Sequence, residues 1–347
     1  MPDRRTIEAV APLRISFVGG GTDFPHWYLD HGGAVLSATI DRFVRVRVSR
    51  RPDRRVSVRS LDLDQMVAYH LDEGPVYDGV MDLAKAAIER LGPPGGIDVE
   101  IGSQAPPGSG LGGSSALVTA VVAALAMLGR RRMTPQEVAR LAYEIERDDL
   151  RINGGWQDQF AAAFGGMNLL EFSASGVSVT PVGIPTSARS ELERSLLLCY
   201  SGLVRRNVGL IDRQIAMHRD GREETHLGMK HLQETAFLMR DTLEAGAIAD
   251  VGQLLRDAFE AKKQMNPFIA EHTPIEAMLE AARRAGASGG KICGAGGGGY
   301  LLIACPPPAR DGVAAELVRL GGQLAPFRFH PVGVRAFRGS EVWAPGG

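Results

Sequence analysis

Residues 106–116 read "PPGSGLGGSSA" and run at once into "LVTAVVAALAML", residues 117–128. The first stretch holds four glycines and three serines, and Ala116 to Leu128 is almost wholly apolar. A helix with no polar face is a buried helix. A glycine loop entering the N-terminus of such a helix is a place for an anion. Unpaired N–H groups and the helix dipole both favour negative charge there, and apolar surroundings strengthen the effect. The same residues also make a plain glycine turn with a serine cap, and the loop alone leaves both readings open.

Other phosphate loops need context that is missing here. Gly108, Gly110 and Gly113 formally spell G-x-G-x-x-G. A dinucleotide site needs a following strand that ends in an acid, but the helix leads through "GRRRM" into a second helix. A Walker A loop needs a lysine before its last Ser or Thr, and this loop has none. What remains is a phosphate loop without its own lysine, with Ser114 and Ser115 as hydroxyls that could hold a metal.

Working outward, the 347 residues suggest about two domains. A net charge of -1 predicts no nucleic-acid or membrane surface. The longest apolar run is too short to span a bilayer, and "MPDRRTIEAV" has no signal-peptide core. Cys199, Cys293 and Cys305 form no CxxC pair, so no disulfide framework or zinc site is expected and a reducing cytoplasm fits. Glycines cluster again at 19–21 and 294–299, as where backbone approaches a ligand.

The coarse pattern alternates strands and helices. "LRISFV", "AVLSATI" and "FVRVRVSR" read as strands, and "RPDRR" as a turn that pairs the last with "VSVRS" in a hairpin. Arg45 and Arg47 read as the solvated face of a half-buried strand. Helices are expected over 78–91 and 116–128. A further helix follows Thr134, with Pro135 first and Glu137 three after the cap. "QDQFAAAFGG" reads as a short helix, and "MNLLEF" and "VSVTPV" as a hairpin. Residues 182–194 read as a connection, 207–285 as mostly helical, and "RFHPVGVRAF" as a final strand. The expected domains are 1–185 and 190–347.

Phosphoryl transfer needs a positioned acceptor, a metal and charge stabilisation. Glu146 ends the capped helix, Asp158 follows the flexible "NGG", Arg14 precedes the first glycine cluster and Asp23 closes it.

With these pieces in order, the chain resembles the GHMP small-molecule kinases over nearly its whole length. "APLRISFVGGGTDF", "PPGSGLGGSSA" and "GGKICGAGGGGYLL" look like that family's three motifs. The resemblance implies an α+β, two-domain GHMP kinase architecture. Its N-terminal, ATP-binding domain is like domain 2 of ribosomal protein S5, and its C-terminal domain is ferredoxin-like. ATP phosphates would lie on Pro107, Gly108, Ser109, Gly110, Leu111, Gly112, Gly113, Ser114 and Ser115. Mg2+ would lie on Glu146 and a serine. Ser114 matches the metal-binding position read without a gap, although Gly113 stands where the family has its first serine. Asp158 matches the catalytic aspartate and Arg14 the arginine that sets it. The sugar would meet Gly20, Gly21, Thr22, Asp23, Gly296 and Gly297.

In galactokinases a Glu-His pair stands where this chain has Gly20 and Gly21, which speaks against galactose. The first motif is similar to that of kinases acting on the anomeric hydroxyl of D-glycero-α-D-manno-heptose 7-phosphate, and fucokinase domains share parts of it. The expected partner is a small sugar phosphate; a kinase for another sugar, or a non-catalytic sugar sensor, are the alternatives. A second phosphate calls for a cationic pocket, for which Arg205 is the first candidate and Arg206, Lys262 and Lys263 are the others. His26, His31, His218 and His226 lack metal-ligand spacing and read as surface or core fillers. Cys293, Trp27 and Trp156 read as packing residues.

Overall fold

The computed structural model describes residues 6–203, 209–271 and 273–339. Two long strands dominate its first half: β1 (Thr6–Val18) and β2 (Gly33–Arg50), joined through the short helix α1 (Pro25–His31). "AVLSATI" and "FVRVRVSR" are thus one strand. Its first half pairs with β6 (Met167–Ser173) and its second with β5 (Ile97–Ser103). β3 (Arg55–Ser60) and β4 (Gln65–His70) form an antiparallel hairpin, followed by α2 (Asp82–Leu91).

The expected β2–β3 hairpin is corrected. β5 inserts between them, antiparallel to β2 and parallel to β3. The turn after β2 straddles the start of β5: Arg51 N donates to Gly96 O, and Gly96 N donates to Asp53 O. Val46, Val48, Val56 and Val58 point into the core either way, so their alternation identifies strands without choosing neighbours.

α3 (Gly113–Leu128) and α5 (Gln157–Phe164) pack on β1 and β2, and α4 (Pro135–Glu144) packs against both helices. The buried helix after the glycine loop is confirmed, and it starts at Gly113, so both serines lie in its first turn. The Thr134–Glu137 capping box is present in both directions. β6 and β7 (Gly176–Pro181) form the expected hairpin.

The second half opens with α6 (Thr186–Ser195), where the sequence reads as a connection. Then come β8 (Leu196–Tyr200), α7 (Leu210–Arg219), α8 (Glu223–Glu244), α9 (Val251–Met265) and α10 (Ile275–Arg284). β9 (Gly289–Ile292), β10 (Tyr300–Ala304), α11 (Arg310–Arg319) and β11 (Gln323–Leu324) follow. The second sheet is antiparallel in the order β11-β8-β10-β9. Together these form the two-domain α+β architecture that the resemblance implies.

The last strand, β12 (Arg335–Arg338), departs from the expected 190–347 unit. It pairs with the outer edge of β1 in the first sheet. Residues before it are tied down as well: His330 N donates to Thr39 O and Val334 N to Ala162 O. The tail thereby covers an edge that would otherwise present unpaired backbone groups. Cys199, Cys293 and Cys305 are buried free thiols. Among the described residues no helix is long and apolar enough to cross a membrane.

Candidate active site

The second and third glycine clusters meet beside β1. Arg14 N donates to Leu111 O at 3.0 Å, and Tyr300 N donates to Ser109 O at 2.9 Å. A Cβ on Gly110 would stand 2.5 Å from Cys293 O, so close approach of the second and third clusters requires glycine there. The meeting point opens into a cleft of about 640 Å³. It is walled by the 106–115 loop, the first glycine cluster, the 152–158 segment, and parts of α7 and α9.

α3 begins at this cleft with Gly112 as a left-handed cap and no side-chain cap. No acidic residue occupies its first turn. Its leading N–H groups are therefore left for a ligand, as an anion site demands. Beneath the loop lies Arg14, whose side chain is 4 % exposed. Its Nε and Nη2 reach Asp158 Oδ1 at 2.7 and 2.6 Å, and its Nη1 donates to Gly110 O at 2.6 Å. Arg14 thus joins the first motif, the loop and Asp158 in one contact.

Glu146 lies in a π-helical turn, Ile145–Asp149, that extends α4. Such turns are rare and often mark functional sites. Its carboxylate accepts from Gln159 Nε2 at 3.0 Å, from Arg147 Nη1 at 3.2 Å, and from the Ser115 hydroxyl. Burial raises its pKa above the ordinary value even so, with Arg147, Ser115 and Gln159 opposing. Gln159 Oε1, a buried acceptor beside it, has no partner. This donor set fits a divalent cation: one undercompensated carboxylate, a hydroxyl and an orphaned amide oxygen. Among the described residues no group of three His, Cys, Asp or Glu side chains forms a cage. A magnesium ion that shares its coordination with phosphates and water needs none.

Asp23 is fully buried at the far side of the cleft. It accepts from Gly21 N and Gln157 N, each at 3.0 Å. Burial still raises its pKa, and the nearby Asp158 charge adds to the rise. A Cβ on Gly155 would stand 1.9 Å from Asp23 Oδ2, so the "NGG" segment closes on it only as glycine.

The structure places most expected residues in the cleft wall, with departures. Ser115 touches Glu146, while Ser114, exposed in the first turn of α3, lines the cleft beside it. Thr22 donates to Gly19 O and Ala34 O, tying the β1–β2 connection, and is not in the wall. Leu111 points into the core. Gly296 and Gly297 rest against Ile269, while Gly294 and Ala295 line the cleft. Arg205 and Arg206 lie outside the described residues. Lys262 lines the cleft and donates to Gly294 O at 2.7 Å; Lys263 is ion-paired to Glu260 and Glu276 on the surface.

Trp156 stacks on Tyr143, and Trp27 is buried against Gln233, so both pack. The four histidines gather around Trp27 away from the cleft, with burial holding His26 down to about 4. Sequence reasoning missed Arg147, Gln157 and Gln214 in the wall, and an apolar patch of Val44, Leu63, Met81 and Leu83 next to the glycine loop. Arg147 and Gln157 adjoin the singled-out Glu146 and Asp158. The apolar patch is gathered from separate elements and leaves no short motif.

Comparison with known proteins finds these similarities. The model of the GHMP kinases N terminal domain matches residues 79–166, and that of the GHMP kinases C terminal domain matches 239–322. A D-glycero-alpha-D-manno-heptose 7-phosphate kinase from Campylobacter jejuni is 32% identical over 343 residues, covering 96% of this chain and 99% of that protein. A bifunctional fucokinase/GDP-fucose pyrophosphorylase from Arabidopsis thaliana is 26% identical over 92% of this chain and 32% of its own length. A crystal structure described as a D-glycero-D-manno-heptose 1-phosphate kinase from Bacteroides thetaiotaomicron superposes with a TM-score of 0.79 at 28% identity. It covers 97% of this chain and 100% of that one.

Proposed function

The chain belongs to the GHMP kinase family, a sugar kinase with an alcohol acceptor, and on that footing we propose its reaction. It transfers the γ-phosphoryl group of ATP to the anomeric hydroxyl of D-glycero-α-D-manno-heptose 7-phosphate and yields the 1,7-bisphosphate. The observation that carries the chemistry is the Arg14–Asp158 pair directly under the glycine loop. The heptose phosphate is supported by the near full-length similarity to the Campylobacter protein and by Gly20 and Gly21, which stand where galactokinases carry a Glu-His pair.

In this reading, backbone N–H groups from Gly108 to Ser115 hold the ATP phosphates. The apolar patch beside the loop takes the base. Glu146 and Ser115, with Ser114 beside them in the cleft wall, would hold magnesium, which would supply neutralisation of phosphate charge. Both Arg14 contacts land on Asp158 Oδ1, so Oδ2 is the oxygen assigned to the acceptor hydroxyl. The acceptor oxygen bonds to the γ-phosphorus as the bond to ADP breaks, and Asp158 takes the hydroxyl proton. Arg14 steadies the charge on the transferring group. Asp23 accepts from a second sugar hydroxyl. Among the described residues, Arg14, Arg147 and Lys262 are the basic side chains of the cleft wall, and the 7-phosphate would meet Lys262 together with Arg205. We assign ATP binding to residues 1–185 and the sugar's second wall to the unit that starts near 190, with β12 lent to the first sheet.

The similarity to a fucokinase favours a second reading, an unphosphorylated sugar. ADP release with ATP and magnesium separates the two. The panel is the heptose 7-phosphate, the free heptose, mannose, galactose, fucose and mannose 6-phosphate. Turnover of the heptose 7-phosphate alone is expected. Preference for an unphosphorylated sugar discards the phosphate pocket and keeps the kinase.

A further inference from the structure

Buried polar atoms without partners are few in folded proteins and collect where a ligand is meant to complete them. Among the described residues, three such atoms fall between residues 147 and 159: Arg147 Nε, Gln157 Oε1 and Gln159 Oε1. Gln159 belongs to the Glu146 site. Gln157 has a different position. It is the first residue of α5, its backbone N–H donates to Asp23 Oδ2, and it lines the cleft.

The order of groups along the cleft places its amide. Where a Cβ on Gly112 would stand, Asp158 Cγ is 3.4 Å away, so Asp158 faces the phosphate loop. Where a Cβ on Gly20 would stand, Gln157 Nε2 is 3.1 Å away and its Oε1 3.6 Å, so the amide faces the first glycine cluster. Beyond it lie Asp23 and Gln214, whose Nε2 is 3.5 Å from Gly21 O. The Gln157 amide therefore sits between the carboxylate assigned to the acceptor hydroxyl and the carboxylate at the far side.

We infer that Gln157 is a sugar-binding and specificity-determining residue, whose side-chain amide hydrogen-bonds the hydroxyl on the ring carbon next to the phosphorylated one. A hydroxyl both donates and accepts, so it completes an amide oxygen that lacks a donor. Glycine at position 20 keeps the space open, since any side chain there would press on the amide. The inference rests on the sugar-kinase reading of the same cleft. A site that offers a buried amide to a hydroxyl rejects the analogue that lacks it, because the amide is then left unpaired.

The test compares the heptose 7-phosphate with its 2-deoxy analogue in the wild type, Gln157→Ala and Gln157→Met. Methionine keeps the side chain's length, and both variants keep the backbone N–H that Asp23 accepts. The wild type should favour the 2-hydroxy sugar in kcat/KM on the order of 10- to 100-fold, the worth of one buried hydrogen bond. Both variants should reduce that preference to within about threefold, with the KM for ATP unchanged, a split that general loosening of the fold would not produce. Preference retained in either variant overturns the inference, as does an equal rise in the KM for ATP. If the wild type turns over mannose rather than the heptose phosphate, the substrate reading fails. The same comparison with mannose and 2-deoxymannose then tests Gln157 by itself.

Discussion

Asp158 and Lys291 show how one side chain can be read from its partners. Asp158 meets Arg14 through one oxygen and is the group assigned to the acceptor proton. Asparagine preserves its shape and cannot take that proton. Asp158→Asn should lower kcat on the order of 10²- to 10⁴-fold while ATP still binds. Normal turnover would remove the assignment. Lys291 is fully buried and donates to Ser16 O and Ile292 O at 2.8 and 2.9 Å, which joins β1 to the strand before the third glycine cluster. Burial pulls its pKa down from 10.5 to about 8, with Arg14 adding to the fall and Cys293 opposing it. Between those pH values the unfolded chain binds a proton there that the folded chain does not, so stability rises with pH. The cost of roughly 3 kcal/mol is fully present below pH 8 and is relieved towards pH 10.5. Urea unfolding of wild type and Lys291→Met at pH 7 and pH 10 should show the wild type gaining on the variant by about that amount. An unchanged difference would mean that Lys291 keeps an ordinary pKa.

At the level of elements, the 152–155 segment links three groups. Arg147 reaches Ile152 O and Gly155 O as well as Glu146, and Asn153 Nδ2 donates to Asp212 Oδ1 on α7 at 2.6 Å. Gly155 rests on Asp23 with no room for a methyl group. Gly155→Ala should therefore displace the sugar side of the cleft and leave the glycine loop alone. The expected result is a rise in the KM for sugar of about tenfold or more, with the KM for ATP little changed. Equal KM values for wild type and variant would show that the segment yields freely. The "NGG" was legible as flexible chain. Its contact with Asp23 was not, because residues more than a hundred positions apart carry no shared local pattern.

At the scale of the whole molecule, the C-terminal segment closes the first sheet. Phe329 is buried, its N–H donates to Glu193 Oε1, and its carbonyl accepts from Arg189. Truncation after Leu324 removes that aromatic residue and β12, and exposes the outer edge of β1. The loss of one buried phenylalanine alone is about 3–5 kcal/mol. A melting temperature lower by on the order of 5–10 °C, or loss of soluble protein, is expected from thermal unfolding of the truncated chain. An unshifted transition would make the segment an appendage.

The amino-acid sequence by itself determined the chemistry's cast. The glycine clusters are legible because close backbone approach admits little but glycine, and capped, apolar or alternating stretches follow from local backbone geometry, whereas the roles proposed for Arg14, Glu146 and Asp158 came from the resemblance of the motifs around them. It also determined that α3 would be buried, since a helix without a polar face has nowhere else to go. Only the tertiary structure decided which strand lies beside which, so that β5 separates β2 from β3 and β12 returns to β1. It alone put the Ser115 hydroxyl on Glu146, turned Thr22 away from the cleft, and set Gln157 against Asp23 and Gly20. The reason is the same in each case. Alternation and helical period fix which way a side chain points from its own element, whereas its partners depend on pairings between distant segments whose local patterns fit several neighbours equally well.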